Sequence, residues 1–348
     1  MAPFALLALA CGRASPSSTR EGPASLHPPP PADAAALRDP SLDDPTSFLP
    51  PEAPVDLGAS LHSALSAAAA TLKTAAFAHT TLDAFLLVNA DGGDHYAATV
   101  SLARKTLAAL YAGRIDKHPT RAVTVFVFTS EGAYDAFCRA QSHGPCPTRF
   151  GQYDRIQRTI VMHASPGAET ACHELLHPLQ AQDYPRIPDW LDEGIASLYE
   201  NPVFCGKGHI TGVSNWRYDQ LRDALAAPRS ADTPRVDALF SMDTVHFLTL
   251  DPRDPDAGPT DPEKEGLHYA TARYLVQWLD RQGKLWPFYR AWRGSIATDP
   301  DGRKTFRAIL GRNPTEVQAD WEAYVRRLSD PGSDPPCVDF QENHSTDF

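Results

Sequence analysis

His173-Glu174-Leu175-Leu176-His177 places two imidazoles and a carboxyl within five residues. On an α-helix, positions four apart lie one above the other, so His173 and His177 offer ring nitrogens to a single point. Such a pair suits a divalent metal. Zinc favours neutral nitrogen ligands and four-coordination, and a catalytic zinc takes three protein ligands and leaves one position to water. Glu174 stands beside His173, where a carboxylate can take the proton of that water. The chemistry indicated is hydrolysis. Ala171, Leu175 and Leu176 give the segment a buried face, which a merely exposed helix with His and Glu on its polar side would lack. Pro178 follows His177 directly and predicts a kink there, because proline removes a helix hydrogen bond and disfavours helical geometry at the residue before it.

A third ligand is available in Trp190-Leu191-Asp192-Glu193-Gly194-Ile195-Ala196-Ser197-Leu198-Tyr199-Glu200. Glu193 falls sixteen residues after His177, enough for a loop and a return helix. Pro188 precedes this helix and Asp189 is its candidate cap. Glu200 lies two turns beyond Glu193 on the same face. It is either a carboxylate that orients a ligand histidine through the free ring nitrogen or a solvated helix residue.

Together the two motifs resemble the gluzincin metallopeptidases, and most closely the peptidase MA-like domains related to the thermolysin and membrane-alanyl aminopeptidase families. The resemblance implies an α+β, zincin-like fold: a small mixed sheet and active-site helix packed against a mainly helical C-terminal lobe. It implies one Zn²⁺ per chain on His173, His177 and Glu193, with Glu174 as general base and a peptide or protein as substrate. It also implies a hydrogen-bond donor to the oxyanion from the helical half, Tyr269 as first choice and His268 as the alternative. The two point about 100° apart on a helix, so both do not serve. No counterpart of the aminopeptidases' Gly-Ala-Met-Glu-Asn strand is found, so the likeness does not extend to their recognition of the substrate amino terminus. Two rival readings keep the same sequence: a zinc-binding surface protein without activity, which would have no need of Glu174, and a structural lipoprotein without metal.

The 348 residues carry a net charge of −11 and no basic tract, which argues against nucleic acid or an anionic membrane as the main partner. Residues 1–11 form a short apolar run ending in Cys11, too short to span a bilayer but suited to an export leader with Cys11 as a lipoprotein anchor. Two details depart from that pattern: no Lys or Arg precedes the run, and Ala8 stands where Leu is usual. Plain secretion is the second choice and the cytosol the third. The membrane enters only through that anchor. Residues 12–55 hold 11 of the 32 prolines and read as an extended tether. Residues 56–328 form the zincin-like domain, and 329–348 a loose tail. Export would let Cys138 and Cys146 close a small disulfide loop and Cys205 pair with Cys337. Cys172 then reads as a small buried residue rather than a thiol nucleophile.

The elements that must position these groups follow from periodicity. Residues 61–77, 97–111 and 131–141 read as helices, and 85–88, 122–128 and 158–163 as strands. The strand at 158–163 is either an ordinary core strand or the sheet edge along which an extended substrate lies. His163 at its end is structural or exposed. After Glu200 the chain reads as helical over 216–225, 269–279, 284–292 and 314–328, with Gly311 as a helix stop. Residues 251–265 read as a surface loop rich in proline and acids, whose spacing does not match the twelve-residue calcium loop.

Overall fold

The computed structural model describes residues 56–142, 148, 150–164, 169–205, 208–229 and 232–328. The leader with Cys11, the tether, Cys146, Cys337 and the tail lie outside them.

Along the chain run helix α1 (Leu57–Leu72), strands β1 (His79–Leu82) and β2 (Phe85–Asn89), α2 (Tyr96–Tyr111), β3 (Val123–Phe128), α3 (Glu131–Ser142), β4 (Gly151–Asp154) and β5 (Thr159–His163). Next come α4 (Glu169–Asp183), α5 (Asp189–Leu198), β6 (Pro202–Phe204), β7 (Ile210–Gly212), α6 (Arg217–Ala226), α7 (Val236–Leu239) and α8 (Thr244–Phe247). Last are β8 (Leu250–Asp251), β9 (Asp254–Pro259), α9 (Pro262–Arg281), α10 (Leu285–Ser295), α11 (Arg303–Leu310) and α12 (Gln318–Arg327). The class is mixed helix and sheet, α+β.

Five strands form one mixed sheet in the order β1-β2-β3-β5-β4. β2, β3 and β5 are parallel, and β1 and β4 run antiparallel at the two edges. Side chains alternate across a strand, so each face has its own set. Leu86, Val88, Phe126, Phe128 and Val161 meet Ala68 of α1 and Tyr134 and Cys138 of α3. Phe85, Leu87, Val125, Val127, Ile160 and Met162 join the larger core with Ala103 and Leu107 of α2 and Leu175 and Leu179 of α4. β3 is therefore buried at every residue, with helices over both faces.

The strand read over 158–163 is interior, flanked by β3 and β4, which settles its alternatives against the sheet edge. The edge beside it is β4, whose Gly-Gln-Tyr-Asp sequence has no apolar run to announce a strand.

The expected loop over 251–265 is also corrected. It holds the β8–β9 hairpin and the first turn of α9. Asp261 caps that helix by accepting from the Lys264 N–H, and Pro262 takes the first helical position, where its missing N–H costs nothing. Gly311 ends α11 in the left-handed region (φ 74°), as its position suggested.

α9 packs along α5. A Cβ on Gly194 would stand 2.9 Å from Val276 Cγ2 and 3.2 Å from the Ala272 carbonyl oxygen, so the close approach of the two helices requires glycine. The buried Arg273 guanidinium ties them further, donating to the carbonyls of Ser197 and Val213. Trp190 of α5 stacks among Phe240, Phe288 and Trp292, which anchors the other face of that helix in the helical part of the chain. Among the described residues no helix is long and apolar enough to cross a membrane.

Candidate metal centre

α4 is amphipathic in a way that orients its histidines. Ala171, Cys172, Leu175, Leu176 and Leu179 are buried in the core, which turns His173 and His177 to the opposite side. Their rings lie 4.9 Å apart, edge to face. The helix continues through Pro178 to Asp183. Proline costs a helix interior about 3 kcal/mol. Burying Leu175, Leu176 and Leu179 returns about 1.5–3 kcal/mol each, so packing outweighs the break.

α5 begins with Pro188 at the N-cap and Asp189 as its first helical residue, so Asp189 is not the cap. Glu193 sits one turn inside and points back at α4. Its Oε2 lies 3.5 Å from His173 Nε2 and 4.0 Å from His177 Nε2. Ligands bound tetrahedrally at about 2.0–2.1 Å stand about 3.3–3.4 Å from one another. The three donor atoms, all within 4.8 Å of each other, therefore need only a small contraction to share one ion. His173, His177 and Glu193 could hold a metal ion.

The other ring nitrogens are turned outward onto carboxylates. His177 Nδ1 lies 3.2 Å from Asp192 Oδ2. His173 Nδ1 lies 3.2 Å from Glu200 Oε1, but the approach is angled, so it is a charge contact more than an aligned hydrogen bond. Glu200 is itself held: Arg217 Nη2 reaches its Oε1 at 3.0 Å and Asn215 Nδ2 its Oε2 at 2.8 Å. Glu200 is thus a partly buried, paired carboxylate rather than a solvated one. Asp192, Asn215 and Arg217 were not among the sequence candidates. Asp192 had a signal in its adjacency to Glu193, whereas Asn215 and Arg217 come from beyond the β6–β7 hairpin with no local pattern.

Negative charge dominates the site. Burial disfavours an imidazolium at His173, but Glu193 and Glu200, with Glu174, outweigh it and hold its pKa well above the ordinary value. Burial acts the same way on His177, where Asp192 and Glu193 outweigh it and the pKa again rises. Glu200 is the reverse case: burial would raise it, but Arg217 and His173 hold it well below the usual carboxylate range. Two basic nitrogens within a ring of acids form a donor set in want of a cation.

Glu174 is 5% exposed, and burial raises its pKa against the pull of His173 and His177. Tyr269 of α9 is buried, its ring 5.0 Å from the Arg217 guanidinium and 5.1 Å from Phe247. That places it on the Arg217–Glu200 side of His173. His268 turns elsewhere, with Nδ1 2.9 Å from the Phe247 carbonyl oxygen. One turn before Tyr269 stands Glu265, 3% exposed, whose Oε1 has no hydrogen-bond partner. Burial, then the charge of Glu193, pushes its pKa up to about 9, with Arg217 opposing. It too was missed, hidden in the segment read as a loop.

His163 is buried and stacks on Tyr134, outside the site. Cys172 is buried, with its Sγ 3.1 Å from Thr106 Oγ1. Cys138 and Cys205 are both disulfide-bonded, and the partners expected for them, Cys146 and Cys337, lie outside the described residues. No family model matches the chain, and no curated protein matches it.

Proposed function

We propose that this chain is a zinc-dependent peptidase of the gluzincin type, with a zincin-like fold. The observation that carries the proposal is the convergence of His173 Nε2, His177 Nε2 and a Glu193 oxygen on one point, with the Glu174 carboxyl beside them. Two nitrogens and one carboxylate oxygen suit zinc, and the same set with an open position is the catalytic arrangement. A bound zinc ion would supply Lewis acidity and lower the pKa of water at the open position.

The chain's own residues would do the rest. Glu174 accepts a proton from the attacking water as its oxygen joins the peptide carbonyl carbon. The same carboxyl returns that proton to the amide nitrogen as the C–N bond breaks, leaving a carboxylic acid and an amine. Glu200 and Asp192 fix the ligand rings by their Nδ1 atoms. Tyr269 is the donor proposed for the oxyanion. The extended substrate would lie along β4, the free edge beside Glu174, rather than β5. Disulfides at Cys138 and Cys205 support export, since cytosolic chains seldom keep them.

Glu174→Gln should retain about one zinc per chain and lose cleavage of a peptide library. Tyr269→Phe should lower kcat by about 10²–10³ with little change in KM. Unchanged cleavage in Glu174→Gln, or wild-type protein purified without about one zinc per chain, would overturn the proposal.

A further inference from the structure

Of His173, Glu174, His177, Glu193 and Glu200, Glu174 alone is held by no hydrogen bond or ion pair among the described residues. His173, His177, Glu193 and Glu200 each have a charged partner. A buried, unbonded glutamate has three rotatable bonds, and a base that must face one water needs something to fix them.

A close neighbour of the Glu174 stem is the backbone of Gly151 at the start of β4. A Cβ on Gly151 would stand 3.0 Å from Glu174 Cγ, 3.2 Å from Glu174 Oε1 and 3.1 Å from Thr170 Cγ2. The bare glycine Cα is thus the wall against which the glutamate stem rests, and φ at Gly151 is not what calls for glycine.

That wall is itself pinned. The Phe150 carbonyl accepts from the His163 N–H, so pairing alternates and the N–H and C=O of Gly151 turn away from β5. Both are taken by one hydroxyl: Thr148 Oγ1 accepts from Gly151 N at 3.0 Å and donates to Gly151 O at 2.6 Å. Thr148 is buried, and its carbonyl accepts from the Tyr134 hydroxyl at 2.8 Å. Tyr134 is fully buried in the core under the sheet. A chain of fixed contacts runs from that core through Tyr134, Thr148 and Gly151 to the Glu174 side chain.

Resting on the zinc-peptidase reading, we propose that Gly151 and Thr148 are positioning residues for the general base: the Thr148 hydroxyl locks the Gly151 backbone, and that backbone sets the orientation of Glu174. The contact is steric, so it holds the base without giving its carboxylate a competing donor. The proton-accepting oxygens are left for water. The clamp also uses up the outward backbone pair of Gly151, so a substrate strand on β4 finds its first outward pair at Tyr153.

Gly151→Ala tests the clamp by putting a methyl group where Glu174 rests. The methyl group asks Glu174 to give by a few tenths of an ångström, a fraction of the ~1 Å misplacement that costs about 10²-fold in rate. The expected result is kcat lower by about 3–10-fold, KM within about twofold, and zinc content unchanged. Thr148→Val should lower kcat in the same direction, and Thr148→Ser, which keeps the hydroxyl, should restore it. Crystal structures of wild type and Gly151→Ala give a second measure: the Glu174 side chain should be displaced from the Gly151 backbone while His173 and His177 stay in place. That comparison stands whether or not the wild type cleaves peptides, so it separates failure of the clamp from failure of the peptidase reading. A Gly151→Ala rate within twofold of wild type, an unmoved Glu174, or loss of zinc in step with loss of rate would overturn the proposal.

Discussion

Glu265 gives the sharpest quantitative test of the site's electrostatics. Its carboxyl is buried beside Glu193 with an unpartnered oxygen, and its pKa is pushed from 4.5 up to about 9. The folded protein therefore keeps a proton that the unfolded chain gives up above pH 4.5. Stability from this residue is fully present below pH 4.5 and is lost as pH rises toward 9, after which both states are ionised and the slope vanishes. Each pH unit in that window costs about 1.4 kcal/mol, so about 3.4 kcal/mol is lost by pH 7 and about 6 kcal/mol by pH 9. Water entering around the new charge relieves part of the upper figure. Glu265→Gln keeps the shape and removes the titration. Urea unfolding of the metal-free proteins at pH 5, 6, 7 and 8 reads the effect. The variant should match wild type near pH 5 and exceed it by about 2–4 kcal/mol at pH 7 to 8. Other groups titrate in both proteins and cancel in the difference. Adding zinc should shrink the gap, because a cation on Glu193 converts the repulsion that raises Glu265 into attraction. A difference that stays constant across pH to within about 0.5 kcal/mol would refute the neutral, buried Glu265.

Two further outcomes follow from the partners of the histidines. Glu200→Gln and Asp192→Asn should each weaken zinc binding by about 10–100-fold, measured by competition with a chelator of known affinity, while the fold remains. Zinc should also displace protons. His173 and His177 both have raised pKa values, so they carry protons at a pH where free histidine has largely lost them, whereas the metal takes neutral imidazole. Zinc affinity should then rise with pH until the raised values are passed. Calorimetry near pH 7 in two buffers of different ionisation enthalpy should show net proton release, and buffer-independent heats would contradict the charge balance described above.

What the sequence made legible is what depends on neighbours along the chain. His173 and His177 were readable because four residues is one helical turn, and Gly311 because only a residue at ease in the left-handed region ends a helix that way. β2, β3 and β5 were found within a residue or two because apolar β-branched and aromatic residues cluster there. Glu193 depended on a return helix that no local spacing fixes, and the structure places it within 4.0 Å of both histidine Nε2 atoms. Local rules went wrong where tertiary contacts outweighed them. Pro178 usually marks a helix boundary, but the buried leucines on either side keep α4 helical through Asp183. Asp251 to Glu265 looked like a loop because prolines and acids mask a short hairpin and the Asp261 cap of α9.

The groups that tune the site were the least legible, and for one physical reason. Arg217 and Asn215 act on Glu200, Thr148 and Gly151 act on Glu174, and Glu265 lies in the field of Glu193. Each of these relations joins segments with no shared period, so no spacing rule can report it. A ligand set is constrained by the geometry of one ion and leaves a compact signature. The surroundings that set its charge and orientation are constrained only by packing, which many sequences can satisfy. Replacing Asp192, Glu200 or Thr148 while keeping His173, Glu174, His177 and Glu193 would therefore leave the recognisable motif intact and still impair the site. In a chain of this kind, an intact metal motif is evidence for binding, and the surrounding contacts are what decide between a hydrolase and an inert metal protein.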